Sequence, residues 1–398
     1  MSTLKVDAIR HNSATSDAIT TAADGTCTAR ITGITGGGGL SHRNLIINGA
    51  MQVAQYGTSS TDAGYSTIDR INRQVSGTDE SPTFAQVDVA SGTTPYTLGF
   101  RKCLKITNGN QTSGAGSSDY LYFWYILEAQ DVANSGWNYT SASSYITISY
   151  WVKSSVAQNF YGMMQTADGT GQNYVWETGS LSADTWTKIT KTIPGNSNLQ
   201  FDNDANAGLY VAPIRAFDGT DRTASMSLNT WAAYSGSSRT PDATSTWYTT
   251  NDATLEVTGL QLEVGSVATD FEHRSYGDEL ARCQRYCVAI GGDDEVHLGT
   301  GNMYNSTNVM VSVHLPVAMR SKPTPSVVTS GGNWVQVYMG ANGNISNASV
   351  TVGDSGGTCK DIIAFRLYLQ NAHSGLTAGQ ALWCHTIANA KLILSAEL

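Results

Sequence analysis

The stretch TLEVTGLQLEV (254–264) sets Leu255, Val257, Leu260, Leu262 and Val264 in a strand-like alternation that runs into a Gly-containing turn. Directly after it, Leu280, Cys283 and Cys287 recur at spacings of three and four, which puts them on one helical face. A strand closing one unit and a helix opening another mark a domain junction, with 273–288 as a short helical linker. Two cores are therefore expected, one on each side.

Upstream, short apolar-alternating segments recur: KCLKIT (102–107), DYLYFWYIL (119–127), SYITISYWVKSS (144–155), NFYGMMQT (159–166), WTKITKTI (186–193) and GLYVAPIRAF (208–217). Turn-rich pieces such as GNQTSGAGSS, TADGTGQN and PGNSN separate them. NLIINGAMQVAQYG (44–57) opens the series with a turn at Asn48-Gly49. This pattern predicts a two-sheet, jelly-roll-like β-sandwich over 40–272. Downstream, NVMVSVHLPVAM, PSVVTS, NWVQVYMG, ISNASVTVG, IIAFRLYLQ and AKLILSAEL predict a smaller β-sandwich over 289–398.

Composition agrees with an all-β reading. Only 14% of residues are charged, against about 25% in an ordinary globular domain. Ser, Thr, Asn and 40 Gly fill the deficit, with 19 Tyr and 9 Trp. Such side chains suit pleated strands and polar turns better than helices. The net charge of −9 and the lack of a Lys/Arg run argue against nucleic acid as a partner. No apolar run approaches the ~20 residues needed to span a bilayer, so membrane insertion is not expected. MSTLKVDAIR has no apolar stretch of signal-peptide length, which implies synthesis in a cytosol without a secretion address. Cys27, Cys103, Cys283, Cys287, Cys359 and Cys384 follow no metal or disulfide spacing and read as free thiols.

Residues 1–39 differ from the rest. Leu4, Val6 and Ala8 alternate, Ile9 follows, and Cys27, Ala29 and Ile31 alternate after an Asp24-Gly25 turn. Two such short pieces cannot hold a core alone and need copies of themselves or a docking surface. The Gly36–Gly39 run is a linker signal.

Signals for chemistry are sparse. Asp202, Asp204 and Asn206 take the first, third and fifth places of an oxygen-ligand loop, making a structural Ca²⁺ the one cofactor candidate. The loop's glycine is displaced to Gly208 and Pro213 stands at the twelfth place, so an Asx-rich turn is the competing reading. Asp293-Asp294-Glu295 with His297 forms a second acidic cluster, and His314 lies on the strand face opposite Val309, Val311, Val313 and Leu315. Glu256 and Glu263 could serve glycoside hydrolysis only if a bulge at Gly259 brought them to one face. No nucleophile elbow, P-loop or metalloprotease motif appears, and no catalytic residue is expected.

Aromatic residues point elsewhere. Sugars lay their C–H faces on rings while polar side chains take the hydroxyls. Trp151 and Trp186 sit in strong strand patterns and read as core, whereas Trp176, Trp231 and Trp247 lie among polar residues and are better placed to be exposed. Those three, with Tyr234 and Tyr248, are the candidate carbohydrate-binding residues.

Two resemblances add to this reading. VTGLQLEVGS, FEHRSYGDELARCQRY and HLPVAMRSKPTPSV, with the STLKVDAI opening, resemble fibre-like virion proteins of tailed bacteriophages, especially those infecting marine cyanobacteria. Asn44-Leu45 with Asn48-Gly49, Tyr145 through Lys153, Trp186 with Ile189, and Gln261-Leu262-Glu263 with Gly265 resemble the jelly-roll carbohydrate-binding modules of bacterial xylanases and cellulases. The second resemblance covers 44–266. In those modules a Glu near the first strand helps hold calcium, and Met51-Gln52 departs from the Phe-Glu found there.

Together they imply a non-enzymatic tail fibre or receptor-binding appendage. It would be assembled in the host cytoplasm and carried on the virion's exterior as a homotrimer. Leu4, Val6 and Ile9 would attach it to other tail or capsid proteins, and the β-domains would recognise host surface polysaccharide. A capsid or tail decoration fibre without receptor binding, and a polysaccharide depolymerase, are the alternatives.

Overall fold

A computed structural model describes residues 8–9, 19–21, 27–29, 42–222, 226–241, 243–339, 341–345, 349–353, 362–370 and 377–398. Strands β1 (Ala8–Ile9), β2 (Ile19–Thr21) and β3 (Cys27–Ala29) form a small antiparallel sheet with Ile9 opposite Ile19. Of the expected attachment residues, Leu4 and Val6 lie outside the described residues, and Ile9 is 54% exposed.

The first large unit contains β4 (Ser59–Ser60), β5 (Gly64–Tyr65), β6 (Asn72–Ser76), β7 (Thr83–Asp88), β8 (Lys102–Thr107), β9 (Tyr120–Glu128) and β10 (Tyr145–Ser154). It continues with β11 (Asn159–Thr166), β12 (Gln172–Ser180), β13 (Thr187–Pro194), β14 (Ala207–Asp218), β15 (Trp231–Ala233) and β16 (Thr254–Val264). Helices α1 (Thr94–Thr97) and α2 (Ala129–Ala133) are single turns. The strands form a six-stranded sheet ordered β13-β10-β16-β8-β7-β4 and a seven-stranded sheet ordered β15-β12-β11-β14-β9-β6-β5. The two sheets share one apolar core, with Ile146, Ile148, Tyr150, Val152, Leu255 and Leu262 facing Leu121, Phe123, Tyr125, Trp176 and Val211. Burying each such side chain contributes about 1.5–3 kcal/mol. The architecture is the jelly-roll-like sandwich that the alternation predicts.

Strand β10 shows how the sequence sets the two faces. Ile146, Ile148, Tyr150 and Val152 point inward, so Thr147, Ser149, Trp151 and Lys153 must point out. Its neighbour β16 carries a bulge. Trp151 pairs with Thr258 and Ser149 with Gln261, so three steps along β16 match two along β10. The extra residue falls at Gly259, whose φ of +65° suits glycine. The bulge is why apolar positions jump from Val257 to Leu260.

The linker holds α3 (Tyr276–Gln284), capped by Ser275, whose Oγ accepts from the Asp278 amide at 3.2 Å, with Asp278 and Glu279 favourably placed in the first turn. Beyond it run β17 (Cys287–Gly292), β18 (His297–Met303), β19 (Val309–Met319), β20 (Thr324–Val328) and β21 (Val335–Met339). They are followed by β22 (Ala341–Ile345), β23 (Ser349–Gly353), β24 (Ile362–Gln370), β25 (Ala381–Thr386) and β26 (Ala390–Ser395). Sheets ordered β17-β26-β20 and β22-β21-β25-β18-β19-β24-β23 enclose a second core around Val311, Val313, Trp334, Val337, Leu392 and Leu394. Cys103, Cys283, Cys287 and Cys384 are buried free thiols. Among the described residues no helix is long and apolar enough to cross a membrane.

A polar seam joins the two sandwiches. Arg70, 1% exposed, pairs with Glu397 and lies 3.5 Å from the Tyr286 ring centroid. Glu128 accepts both Arg285 N–H groups at 3.0 Å and the Tyr286 hydroxyl at 2.6 Å. Burial pushes the Glu128 carboxyl up, but those bonds outweigh it and hold the group below the usual carboxylate range. Gln55 donates to the Cys287 carbonyl at 2.6 Å, and Lys391 donates to the Gln55 and Tyr56 carbonyls at 2.9 and 2.7 Å. Behind Gln55, burial raises the Asp69 carboxyl to about 7, despite hydrogen bonds from Gln55.

Candidate functional site

The outward face of the six-stranded sheet carries a cleft of about 260 Å³. Ser149, Trp151, Lys188 and Gly259 form its floor, with Trp151 directly opposite Lys188 across β10 and β13. One wall is Leu98 and Phe100 from the turn after α1, and the other is Asp270, Phe271 and His273. The second wall belongs to the chain leaving β16, which is strapped back across the sheet. Glu263 accepts the Thr269 amide and hydroxyl at 2.8 and 2.6 Å, and the Gln261 side chain accepts the Glu272 amide at 2.8 Å. Glu272 in turn accepts the Asn44 amide at 2.7 Å. Burial alone would raise its carboxyl, yet this bond and Arg274 keep it below its ordinary value.

Phe100, Phe271 and His273 pack edge to face or tilted, with centroids 4.9–5.1 Å apart, and the His273 Nε2–H donates to the Leu98 carbonyl at 2.9 Å. Phe100 sits where a side chain on residue 259 would be, since a Cβ there would come within 2.7 Å of its ring. The bulge glycine therefore sets the bottom of the cleft as well as the sheet register. Rings supply an apolar platform, and Lys188, Asp270, Ser149 and His273 supply donors and acceptors around it. A concave site with a few convergent polar groups can hold a sugar ring.

The residues picked from the sequence lie elsewhere. Trp176 and Trp247 are fully buried, with their Nε1–H groups donating to the Tyr150 hydroxyl at 3.3 Å and the Thr254 carbonyl at 3.0 Å. Tyr248 is fully buried, stacked on Phe217 and donating to Asp119 at 3.1 Å. Trp231, 8% exposed, donates to the Pro194 carbonyl at 2.7 Å, and Tyr234 is half-buried at the end of β15. The expected exposure of the tryptophans is thus corrected. Trp176 and Trp231 point inward from β12 and β15, and Trp247 packs into the core from a turn, so polar residues nearby in sequence do not mark an exposed ring. Trp151 and Trp186, expected in the core, are instead half-exposed on the outward face.

Asp202, Asp204 and Asn206 stay together in an exposed or half-buried loop. The Asn206 amide donates to Asp204 at 2.9 Å, closing an Asx turn, and the Asp202 amide donates to Asp168 at 3.0 Å. Burial, then the charges of Asp202 and Asp204, raise the Asp168 carboxyl. Among the described residues no three His, Cys, Asp or Glu side chains converge as a metal site.

The bulge does bring Glu256 and Glu263 to one face, opposite Lys153 and Thr147. Each is already engaged. Glu256 pairs with Lys153 at 2.9 Å, and Glu263 is spent on Thr269 and Gln261. A larger cavity of about 440 Å³ lies between residues 42–47, α2 and α3, lined by His42, Gln130, Asp131, Asn134 and Arg282, without Trp, Tyr or Phe. The Trp151 cleft is the better sugar platform.

No protein-family model matches this chain, and no curated protein matches it. Among solved structures, the chain is similar to the enzymatically active domain of tailspike protein 4 of bacteriophage CBA120, at 8% identity and a TM-score of 0.29. That match covers 56% of this chain and 21% of the tailspike chain, so this chain spans about a fifth of it. It is also similar to the family 11 carbohydrate-binding module of a cellulosomal cellulase of Clostridium thermocellum. There the identity is 13% and the TM-score 0.24, over 55% of this chain and 98% of the module. A third match is the xylanase 10B of the same organism, resolved with xylohexaose, at 9% identity and a TM-score of 0.27, over 58% of this chain and 30% of that one.

Proposed function

We propose that this chain is a non-catalytic virion appendage protein that binds a bacterial surface glycan through the Trp151 cleft. The observation that carries the reading is the cleft itself: a Trp-floored, aromatic-walled hollow ringed by Lys188, Asp270, Ser149 and His273. The engagement of Glu256 and Glu263 in pairing and strapping favours binding over hydrolysis. The resemblance of 254–287 and 1–9 to phage fibre proteins supports the virion setting, with 1–39 as the attachment segment and a homotrimer as the working assembly. Weak single-site sugar binding becomes useful when several copies engage one surface.

The test is a bacterial polysaccharide array probed with the wild-type chain and with Trp151→Ala. Binding is expected for the wild type and a loss of at least tenfold for the variant, with circular dichroism unchanged. Equal binding by both proteins would remove the cleft from the proposal. Release of reducing ends from the bound polysaccharide would overturn the non-catalytic reading. Failure of residues 40–398 to enter particles would support the attachment role of 1–39, and their normal incorporation would end it.

A further inference from the structure

The C-terminal sandwich presents a second aromatic surface on the outward face of its seven-stranded sheet. In β25, Leu382 and Cys384 point into the core, which turns Trp383 outward with 44% of its surface exposed. Tyr338 on the neighbouring β21 stacks on one face of that indole, centroids 4.3 Å apart and planes within 11°. On the other side the partner strand is β18, and the residue directly opposite Trp383 is Thr300. The pairing of Gly301 with Val311 and of Asn302 with Met310, carried one residue further, sets Ser312 of β19 beside Thr300. Two exposed hydroxyl residues therefore floor the space beside the second face of the indole. With strands ~4.8 Å apart, this floor is about one sugar ring wide.

Exposed His297 stacks offset on Trp383, with centroids 5.8 Å and planes 27° apart, and closes one end of this trough, while exposed Asn302 stands at the other. Beneath the rings, His385 is 4% exposed and stacks on Tyr338 at 5.0 Å and on Trp383 at 5.4 Å. Its Nδ1 faces the Thr386 carbonyl at 2.9 Å and Glu295 at 3.5 Å, which places the proton on Nδ1. Its Nε2 is buried, so His385 supports the rings and does not line the trough.

We propose that this trough is a second glycan site, in which Trp383 takes the C–H face of a sugar residue while Thr300, Ser312, Asn302 and His297 meet its hydroxyls. The inference rests on the reading that the ligand is a glycan, but it uses a different domain and different residues from the Trp151 cleft. Each chain would then be bivalent, and gripping one polymer at two points raises apparent affinity by effective concentration.

The experiment uses the full chain on an array of bacterial capsular and O-antigen polysaccharides, followed by titration of the best-bound polymer. Trp383→Ala removes the platform, and Thr300→Trp fills the trough while leaving Trp383 in place. Both positions are exposed, so unchanged melting serves as the fold control. Each variant is expected to lose at least about tenfold in apparent affinity for the polymer, and the double variant Trp151→Ala/Trp383→Ala to lose binding altogether. Wild-type affinity in both Trp383→Ala and Thr300→Trp would overturn the second site and leave the cleft standing. Binding that survives Trp151→Ala but not Trp383→Ala would overturn the cleft and uphold the trough. A wild-type chain silent across the whole array would overturn both.

Discussion

Trp176 and Trp151 occupy the two sides of one sandwich, and their surroundings differ in every respect. Trp176 is fully buried against Gly162, where an added Cβ would come within 2.3 Å of the indole, and its N–H is matched to the Tyr150 hydroxyl. Trp151 lies half-exposed beside Lys188, under walls built by two loops. The first ring is held by complementary packing. The second is held by strand register, with one side open to the cleft. Identical residue types therefore divide into a packed core ring and a half-exposed surface ring according to which side of the pleat they take.

The largest effect expected on this contrast is from Trp176→Ala, which should lower unfolding free energy by about 3–5 kcal/mol in chemical denaturation. Trp151→Ala in the same assay should cost no more than about 1 kcal/mol. Equal losses would erase the distinction. Next is the seam between the sandwiches. Arg70→Met leaves Glu397 buried without its partner and should cost about 3 kcal/mol or more. Calorimetry is expected to show one transition for the wild type and two for the variant. A single unchanged transition would mean the seam does not couple the domains.

A smaller effect is predicted for Gly259→Ala, at about 2 kcal/mol, because it strains the bulge and pushes on Phe100. Its loss of glycan affinity should exceed its loss of stability, since the ring it displaces is a cleft wall. The smallest concerns pH. The folded protein holds the Asp69 proton up to about pH 7, above the ordinary carboxylate range. This contribution to stability is therefore full at low pH and is lost as pH rises toward 7. Asp69→Asn should flatten that decline in melting temperature between pH 4 and 7, and an unaltered slope would assign it to other groups.

Much of the fold was legible because period-2 alternation is a direct record of which face is buried. The strands of β10, β13 and β16 follow their apolar residues, and the skipped beat from Val257 to Leu260 marked the bulge. The cleft was less legible, although part of its signal was present. Ile146, Ile148, Tyr150 and Val152 share one phase, which leaves Trp151 in the other with Thr147, Ser149 and Lys153. Weighing each tryptophan by the polarity of its neighbours instead of by its phase reversed the assignments of Trp151 and Trp176. The walls could not be read at all, because Phe100 and Phe271 meet only after distant segments fold onto the sheet. Trp383 and Tyr338 share that difficulty, since their stacking depends on the pairing of β21 with β25.

The opening and closing segments of the first sandwich lie side by side. The Leu45 amide donates to the Leu262 carbonyl at 2.9 Å, and the Asn44 side chain donates to the Leu260 carbonyl at 3.1 Å and accepts from the Leu262 amide at 3.0 Å. The polypeptide thus enters and leaves this unit through a single doorway. Some two hundred intervening residues form one loop closed at its base, and Gln55, Tyr56, Arg70 and Glu128 within it hold the segments that follow. Entry and exit are thereby tied to each other, so a strain applied at one end of the unit is felt at the other.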